Sequence, residues 1–289
     1  MNPRTRWHPW LLLAPTLVLL FVFFVVPIGV AAVESFFVWD LLTAPRFVGL
    51  GNYRSLMARG ELAGILIRTT GYSMLVVAGT MSLGLALAVL LHRPGKVFAF
   101  VRASVFSAYV VSWVAVALLW MWMLDGNSGI AGQVLRGLGA PPLALLGDRR
   151  TALPALAAIG VWKLTGYAMV VFLSGLEGVP PSLLEAAALD GAGPFARFRH
   201  VTLPLLGPTA AFVATTSLAT SFQAFDVVRI ITQGGPARAT ELLVYAIYEE
   251  IFMNLRVGRA SALTVVFFAM LVVIGVGSLG VRRARAASS

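Results

Sequence analysis

Six long apolar runs, at about 10–33, 70–91, 103–124, 153–176, 206–230 and 260–281, decide what this chain can fold into. Each is long enough to cross a hydrocarbon core of about 30 Å as a helix. Lipid offers no partner for free backbone N–H and C=O groups, so such segments must be helical. Only 12% of the 289 residues are charged and 59% are hydrophobic. That is about half the charged share of a soluble domain, too little to cover a water-soluble surface. The expected fold is an all-α membrane protein of six transmembrane helices, with 1–289 as a single transmembrane domain. Arg4 and Arg6 before the first run imitate a secretory signal. The run from Trp10 to about Val33 exceeds a signal's apolar core of about 7–15 residues, so an uncleaved first helix is expected. Pro15 and Pro27 should kink that helix or fray its ends. The loops at 34–69, 125–152 and 231–259 contain turn residues such as Gly126–Asn127 and Gly234–Gly235–Pro236, and should hold short interfacial helices.

The net charge of +10 comes from short basic clusters between the apolar runs, which points away from nucleic acid and toward cytoplasmic loops. With the N-terminus inside, the inner segments 1–9, 92–102, 177–204 and 282–289 carry ten Arg and Lys in 56 residues: Arg4, Arg6, Arg93, Lys96, Arg102, Arg197, Arg199, Arg282, Arg283 and Arg285. The outer segments also carry ten, but in 93 residues, together with most of the acids. Density in short loops orients a chain, so both termini are expected in the cytoplasm.

Several chemistries find no support. There is no cysteine, which removes disulfide and thiolate chemistry. His8, His92 and His200 stand alone beside basic residues, so no metal site is expected. No Gly-x-x-x-x-Gly-Lys-[Ser/Thr] loop occurs, so no ATP hydrolysis through a Walker site is expected of this chain. Gly275-Val-Gly-Ser-Leu-Gly280 lies inside the sixth run, with no strand before it, and is read as small residues for close helix packing.

Residues 177–208 encode more than a loop. Pro180–Pro181 stops what precedes, and Ser182-Leu-Leu-Glu185 has the pattern of a capping box. Ala186, Ala187, Ala188 and Leu189 favour helix, and Asp190–Gly191 ends it. Gly193–Pro194 starts a second helix, with Phe195 and Phe198 on one face and Arg197 and Arg199 turned away. This apolar hairpin must pack on its own helix ends or dock into a cytoplasmic partner.

Glu185-Ala186-Ala187, Asp190-Gly191-Ala192 and Leu203-Pro204 resemble the EAA loop of permeases of binding-protein-dependent ABC importers. The string DGAGPF with TLPLL is similar to carbohydrate permeases of the maltose and glycerol-3-phosphate type. Phe47-Val-Gly-Leu-Gly-Asn52-Tyr53, Trp162-Lys163, Phe225-Asp226 through Thr232-Gln-Gly-Gly-Pro236, and Gly258-Arg-Ala-Ser-Ala-Leu carry the resemblance along the chain. It implies the type I ABC importer permease fold and a place in the bacterial inner membrane. The implied partners are a second permease subunit, an ATPase dimer that binds the ATP and magnesium, and an extracytoplasmic solute-binding protein. It also implies that Glu185, Ala186, Ala187, Asp190, Gly191, Leu203 and Pro204 form the ATPase-coupling loop.

Polar residues within spans tend to face a cavity or one another. Lys163 and Tyr167 in the fourth run, and Ser221, Gln223 and Asp226 in the fifth, are the candidates for a translocation pathway. Gln223 and Asp226 would share a helix face at i, i+3, with Phe222 and Phe225 supplying apolar surface. Either Asp226 and Lys163 neutralise one another, or Asp226 lies in water at the outer interface. Trp10, Trp113, Trp120 and Trp122 are read as belt and packing residues. The rival to an importer subunit is a self-sufficient secondary transporter, which would need internal repeats and an intramembrane ion site.

Overall fold

The computed structural model describes residues 8–126, 128–138 and 145–286, with side chains for all of these except 8, 9, 135 and 277–286. Arg4, Arg6 and Asn127 lie outside the described residues, as do the side chains of Arg282, Arg283 and Arg285. The chain begins with α1 (Trp10–Glu34), a hairpin of β1 (Phe37–Val38) and β2 (Arg46–Phe47), and α2 (Gly51–Ala58). Then come α3 (Glu61–Leu91), α4 (Lys96–Val110), α5 (Trp113–Met123), α6 (Ile130–Gly137) and α7 (Ala152–Glu177). The last part holds α8 (Pro181–Leu189), α9 (Pro194–Leu205), α10 (Gly207–Phe222), α11 (Leu243–Tyr248) and α12 (Val257–Ala286).

Four helices are long and apolar enough to cross a membrane, and six segments if each of two bent pairs is one span. The third apolar run is not one helix: α4 and α5 meet at Val111–Ser112 with a bend of 100°. In the fifth, α9 and α10 are bent by 64°, and α10 stops at Phe222 rather than continuing to 230. The second span starts at Glu61, well before the expected 70, because Arg68 and Thr69 find partners elsewhere in the fold. The Arg68 Nη2 donates to Glu241 Oε2 at 2.8 Å, and Thr69 Oγ1 accepts the Leu243 N–H at 2.9 Å.

Neither proline breaks α1. The turn at Phe21–Val25 widens, so that the Val26 N–H reaches Phe21 O, and Pro27 follows at the start of regular helix. A widened turn relieves the demand for a donor where proline has none.

Two compact units divide the described residues, one from Met1–Gly64 with Ala246–Met270 and one from Ile65–Tyr245 with Leu271–Ser289. In the first unit, β1 and β2 pair antiparallel, Phe37 opposite Phe47. The buried Asn52 amide donates to Ser35 O at 2.8 Å and Phe37 O at 2.9 Å, and Tyr53 donates to Ser35 Oγ at 2.9 Å. Gly49 takes φ +54°, which places Asn52 for this clamp. The Val257 N–H donates to Trp39 O, and Gly258 lies so close to Phe37 O that any Cβ would overlap it. Beside them, Arg259 bonds Glu61 at 2.5 Å, Glu250 at 3.1 Å and Ser55 Oγ at 2.9 Å.

The second unit is built round α7, of which about two thirds is buried. Small residues let neighbours come close, as expected for helices in lipid. A Cβ on Gly166 would stand 2.5 Å from Val105 O on α4, and one on Gly160 would stand 2.9 Å from the Tyr72 hydroxyl on α3. Ala88, Leu91, Ala168, Met169, Phe172 and Leu206 fill the core between these helices and α10. Arg102, expected in the basic loop 92–102, lies within α4 and donates to Leu91 O at 2.8 Å and Arg93 O at 3.1 Å, capping the carbonyl end of α3. Close packing at the glycines of α12 is not seen at Gly275, where a Cβ would meet nothing within 4 Å.

Candidate functional site

Two constellations of the second unit hold the expected site residues. The first is the hairpin of α8 and α9. Its opening differs from the expected capping box. Pro180 is the N-cap, extended at φ −60° and ψ 125°, and Pro181 is the first helical residue. A residue before proline is pushed out of the helical region, and proline at the first position lacks only an N–H that would have no partner. Ser182 therefore falls two positions past the cap, and no side chain caps this end. Glu185 and Ala186 are exposed, and Ala187 is half-buried.

The end of α8 is as expected. Gly191 has φ +81°; its N–H donates to Ala188 O at 3.1 Å and the Ala192 N–H donates to Ala187 O at 2.9 Å. These two bonds are the Schellman pair that closes a helix on a left-handed residue. A Cβ on Gly191 would meet nothing within 4 Å, so backbone conformation alone calls for glycine. Gly193 and Pro194 open α9 as expected, and Leu203 and Pro204 lie exposed in its last turn. Leu189 is 90% exposed and Phe195 74% exposed, whereas Phe198 is half-buried. The hairpin thus holds its turn rigidly while leaving large apolar side chains uncovered.

The second constellation surrounds a cavity of about 180 Å³, lined by Tyr72, Val76, Trp113, Leu164, Phe225 and residues of the chain from Thr220 to Val227. Ser221, Gln223 and Asp226 meet there, though not on one helix face. α10 ends at Phe222, the Ala224 N–H turns back to Ser221 O at 3.2 Å, and helix resumes at Asp226. Irregular backbone at such depth is tolerated where it lines a cavity. Ser221 is buried, with its hydroxyl donating to Leu218 O at 2.8 Å.

Lys163 and Tyr167 do not line this cavity. Lys163 is only 2% exposed, and its Nζ donates to Ala108 O at 3.2 Å, Tyr109 O at 3.1 Å and Val111 O. It also stands 4.9 Å from the centre of the Trp113 ring. The ammonium therefore satisfies the carbonyl end of α4 at the 100° break, and it pairs with carbonyls rather than with Asp226. Tyr167 stacks on Tyr109 at 5.1 Å on the same side of the break.

Trp113, read among the belt and packing residues, is both a wall of the cavity and the ring beneath Lys163. Tyr72 and Val76 also escaped the sequence reading. A signal for them exists: Thr69, Tyr72, Ser73, Val76 and Thr80 follow a spacing of three and four along α3, and all are buried. A polar stripe in a span marks its inward face.

A profile for the binding-protein-dependent transport system inner membrane component matches residues 80–285. The chain belongs to that family. This permease is 32% identical over 268 residues to the sn-glycerol-3-phosphate transport system permease protein UgpA of Agrobacterium fabrum, covering 92% of this chain and 91% of the relative. It is 34% identical to UgpA of Rhizobium meliloti, over 91% of this chain and 90% of that one. Its fold is like a chain of a crystallised bacterial ABC transporter involved in import of the acidic polysaccharide alginate, at a TM-score of 0.83 and 20% identity, covering 97% and 96% of the two chains. A chain of the MetNI methionine ABC transporter in an inward-facing conformation matches at a TM-score of 0.56 and 20% identity, over 81% of this permease and 98% of that chain. The permease is a transmembrane subunit of an ABC importer, a non-catalytic part in a family of inner-membrane components.

Proposed function

We propose that this subunit forms half of the pathway for a small polar solute of the sugar or polyol-phosphate class. The α8–α9 hairpin is its handle for a separate ATPase. A second permease subunit, an ATPase dimer holding ATP and magnesium, and an extracytoplasmic binding protein complete the machine. Both termini and the hairpin face the cytoplasm, in keeping with the dense Lys and Arg of the inner segments. The observation that carries this reading is the Schellman-closed turn at Gly191, which fixes the exposed Leu189 and Phe195 on a rigid support. Such a surface suits insertion into a cleft that moves when ATP is hydrolysed.

Solute passes the cavity where Ser221, Gln223 and Asp226 meet Trp113 and Phe225. Aromatic faces suit the C–H side of a polyol, and the amide and carboxylate suit its hydroxyls. The relatives' name makes glycerol-3-phosphate the first solute to test.

The test is Gly191→Asp in the reconstituted transporter. A side chain at φ +81° costs about 1–2 kcal/mol, enough to depopulate the closed turn roughly tenfold. The variant should insert and assemble, hydrolyse ATP, and lose solute-linked uptake; normal uptake would remove the coupling assignment. The solute class fails separately if no sugar, polyol or glycerol phosphodiester raises ATP hydrolysis.

A further inference from the structure

A groove of about 730 Å³ runs between α3 and the start of α7 in the second unit. Its floor is apolar, with Met74, Leu75 and Ala78 from α3 and Leu153 and Pro154 from α7. Met74 is 66% exposed and Leu75 47% exposed, although both lie inside a membrane-spanning helix. Its upper rim is cationic, formed by Arg68, Arg149 and Arg150.

Two of the rim charges have no carboxylate partner among the described residues. Glu241 takes two guanidinium groups, Arg68 at 2.8 Å and Arg238 at 2.5 Å. Asp148 holds the Arg150 backbone N–H at 2.7 Å through Oδ1. Among the described residues, no carboxylate pairs with the side chain of Arg149 or Arg150. Arg149 and Arg150 therefore present two exposed guanidinium groups where α7 enters the membrane.

We propose that this groove binds an anionic phospholipid, with its phosphate on Arg149 and Arg150 and an acyl chain along Met74, Leu75 and Leu153. A soluble anion would meet the rim and leave the floor bare. A neutral lipid would cover the floor and leave the rim unbalanced. Only an amphiphile with a negative head answers both. Guanidinium groups match phosphate oxygens two at a time, and a basic cluster at the interface favours anionic lipid over neutral lipid. The proposal requires membrane insertion and is independent of the solute and of coupling.

The intact transporter in phosphatidylcholine nanodiscs, with and without phosphatidylglycerol, tests this by native mass spectrometry. The wild type should retain phosphatidylglycerol after release, and Arg149→Gln with Arg150→Gln should retain on the order of tenfold less. Both side chains are exposed, so the variant should keep the wild-type melting temperature. The chain has no cysteine, so Met74→Cys accepts a single photoreactive probe. Its expected adduct is phospholipid. Equal lipid retention by both proteins, an adduct with the second permease alone, or displacement of the lipid by soluble glycerol phosphate would each overturn the proposal.

Discussion

Lys163 shows how one buried cation can shape a span. Its three carbonyl partners lie at a helix end that would otherwise leave acceptors unsatisfied in lipid. Lys163→Met should remove hydrogen bonds from a charged donor worth about 1.5–3 kcal/mol each before relaxation. The expected result is a lower melting temperature of the assembled transporter and a loss of solute-stimulated ATP hydrolysis, with Lys163→Arg intermediate. A wild-type melting curve for the methionine variant would show that the break holds without the lysine. Arg259 is the corresponding group in the first unit. Arg259→Gln leaves Glu61 and Glu250 without their shared cation, at a cost of about 3–5 kcal/mol. The variant chain should be degraded in cells, which pulse-chase labelling would detect.

At the scale of elements, the sequence was most legible where local chemistry decides. Asp190–Gly191 and Gly193–Pro194 sit where their backbone preferences place them. The capping box was misread because two local rules compete, and proline geometry wins over a side-chain hydrogen bond. Tertiary partners decided the rest. No Pro or Gly marks the break at Val111–Ser112 or the end of α10 at Phe222; one is held by Lys163 from another helix and the other opens onto a cavity. The start of α3 was missed because the partner of Arg68 lies at Glu241, far along the chain. The motifs around Asn52 and Gly258 were visible as strings, but their reasons, a clamp on the β hairpin and a contact too close for any Cβ, require the fold. The turn after β1 allows a pH prediction. Asp40 Oδ1 accepts the Thr43 N–H and hydroxyl and the Leu42 N–H, which hold its carboxyl below the usual carboxylate range. A lowered folded-state pKa stabilises the turn above the unfolded value and loses that effect as pH falls through the folded one. Amide exchange at Thr43 should therefore rise, relative to the intrinsic rate, below about pH 4. Asp40→Asn should lack that rise.

For the whole molecule, each apolar run falls on a helix or bent helix pair long and apolar enough to span, and the hairpin was visible before any fold was known. The cavity was only half visible: Ser221, Gln223 and Asp226 were named, but Tyr72, Val76 and Trp113 come from elements distant in sequence. Ala224 lies in that wall, and filling about 180 Å³ with an indole should close the proposed path. Ala224→Trp should lower uptake severely while the assembled complex still forms; undiminished uptake would move the pathway elsewhere. The first span raises a separate matter of assembly, since none of its window from Trp10 to Glu34 is buried within the chain. Its surroundings must come from lipid or from another subunit.

A half-helix that stops inside the bilayer leaves its negative pole there, and α4 does so beside the Trp113 wall. The Lys163 ammonium neutralises that field from behind the ring. For the proposed solute class, this would let a phosphate-bearing member pass close to the carbonyls without repulsion. In Lys163→Met the bare pole should slow an anionic cargo more than an uncharged polyol of similar size, so the ratio of the two uptake rates becomes a direct gauge of the electrostatic filter.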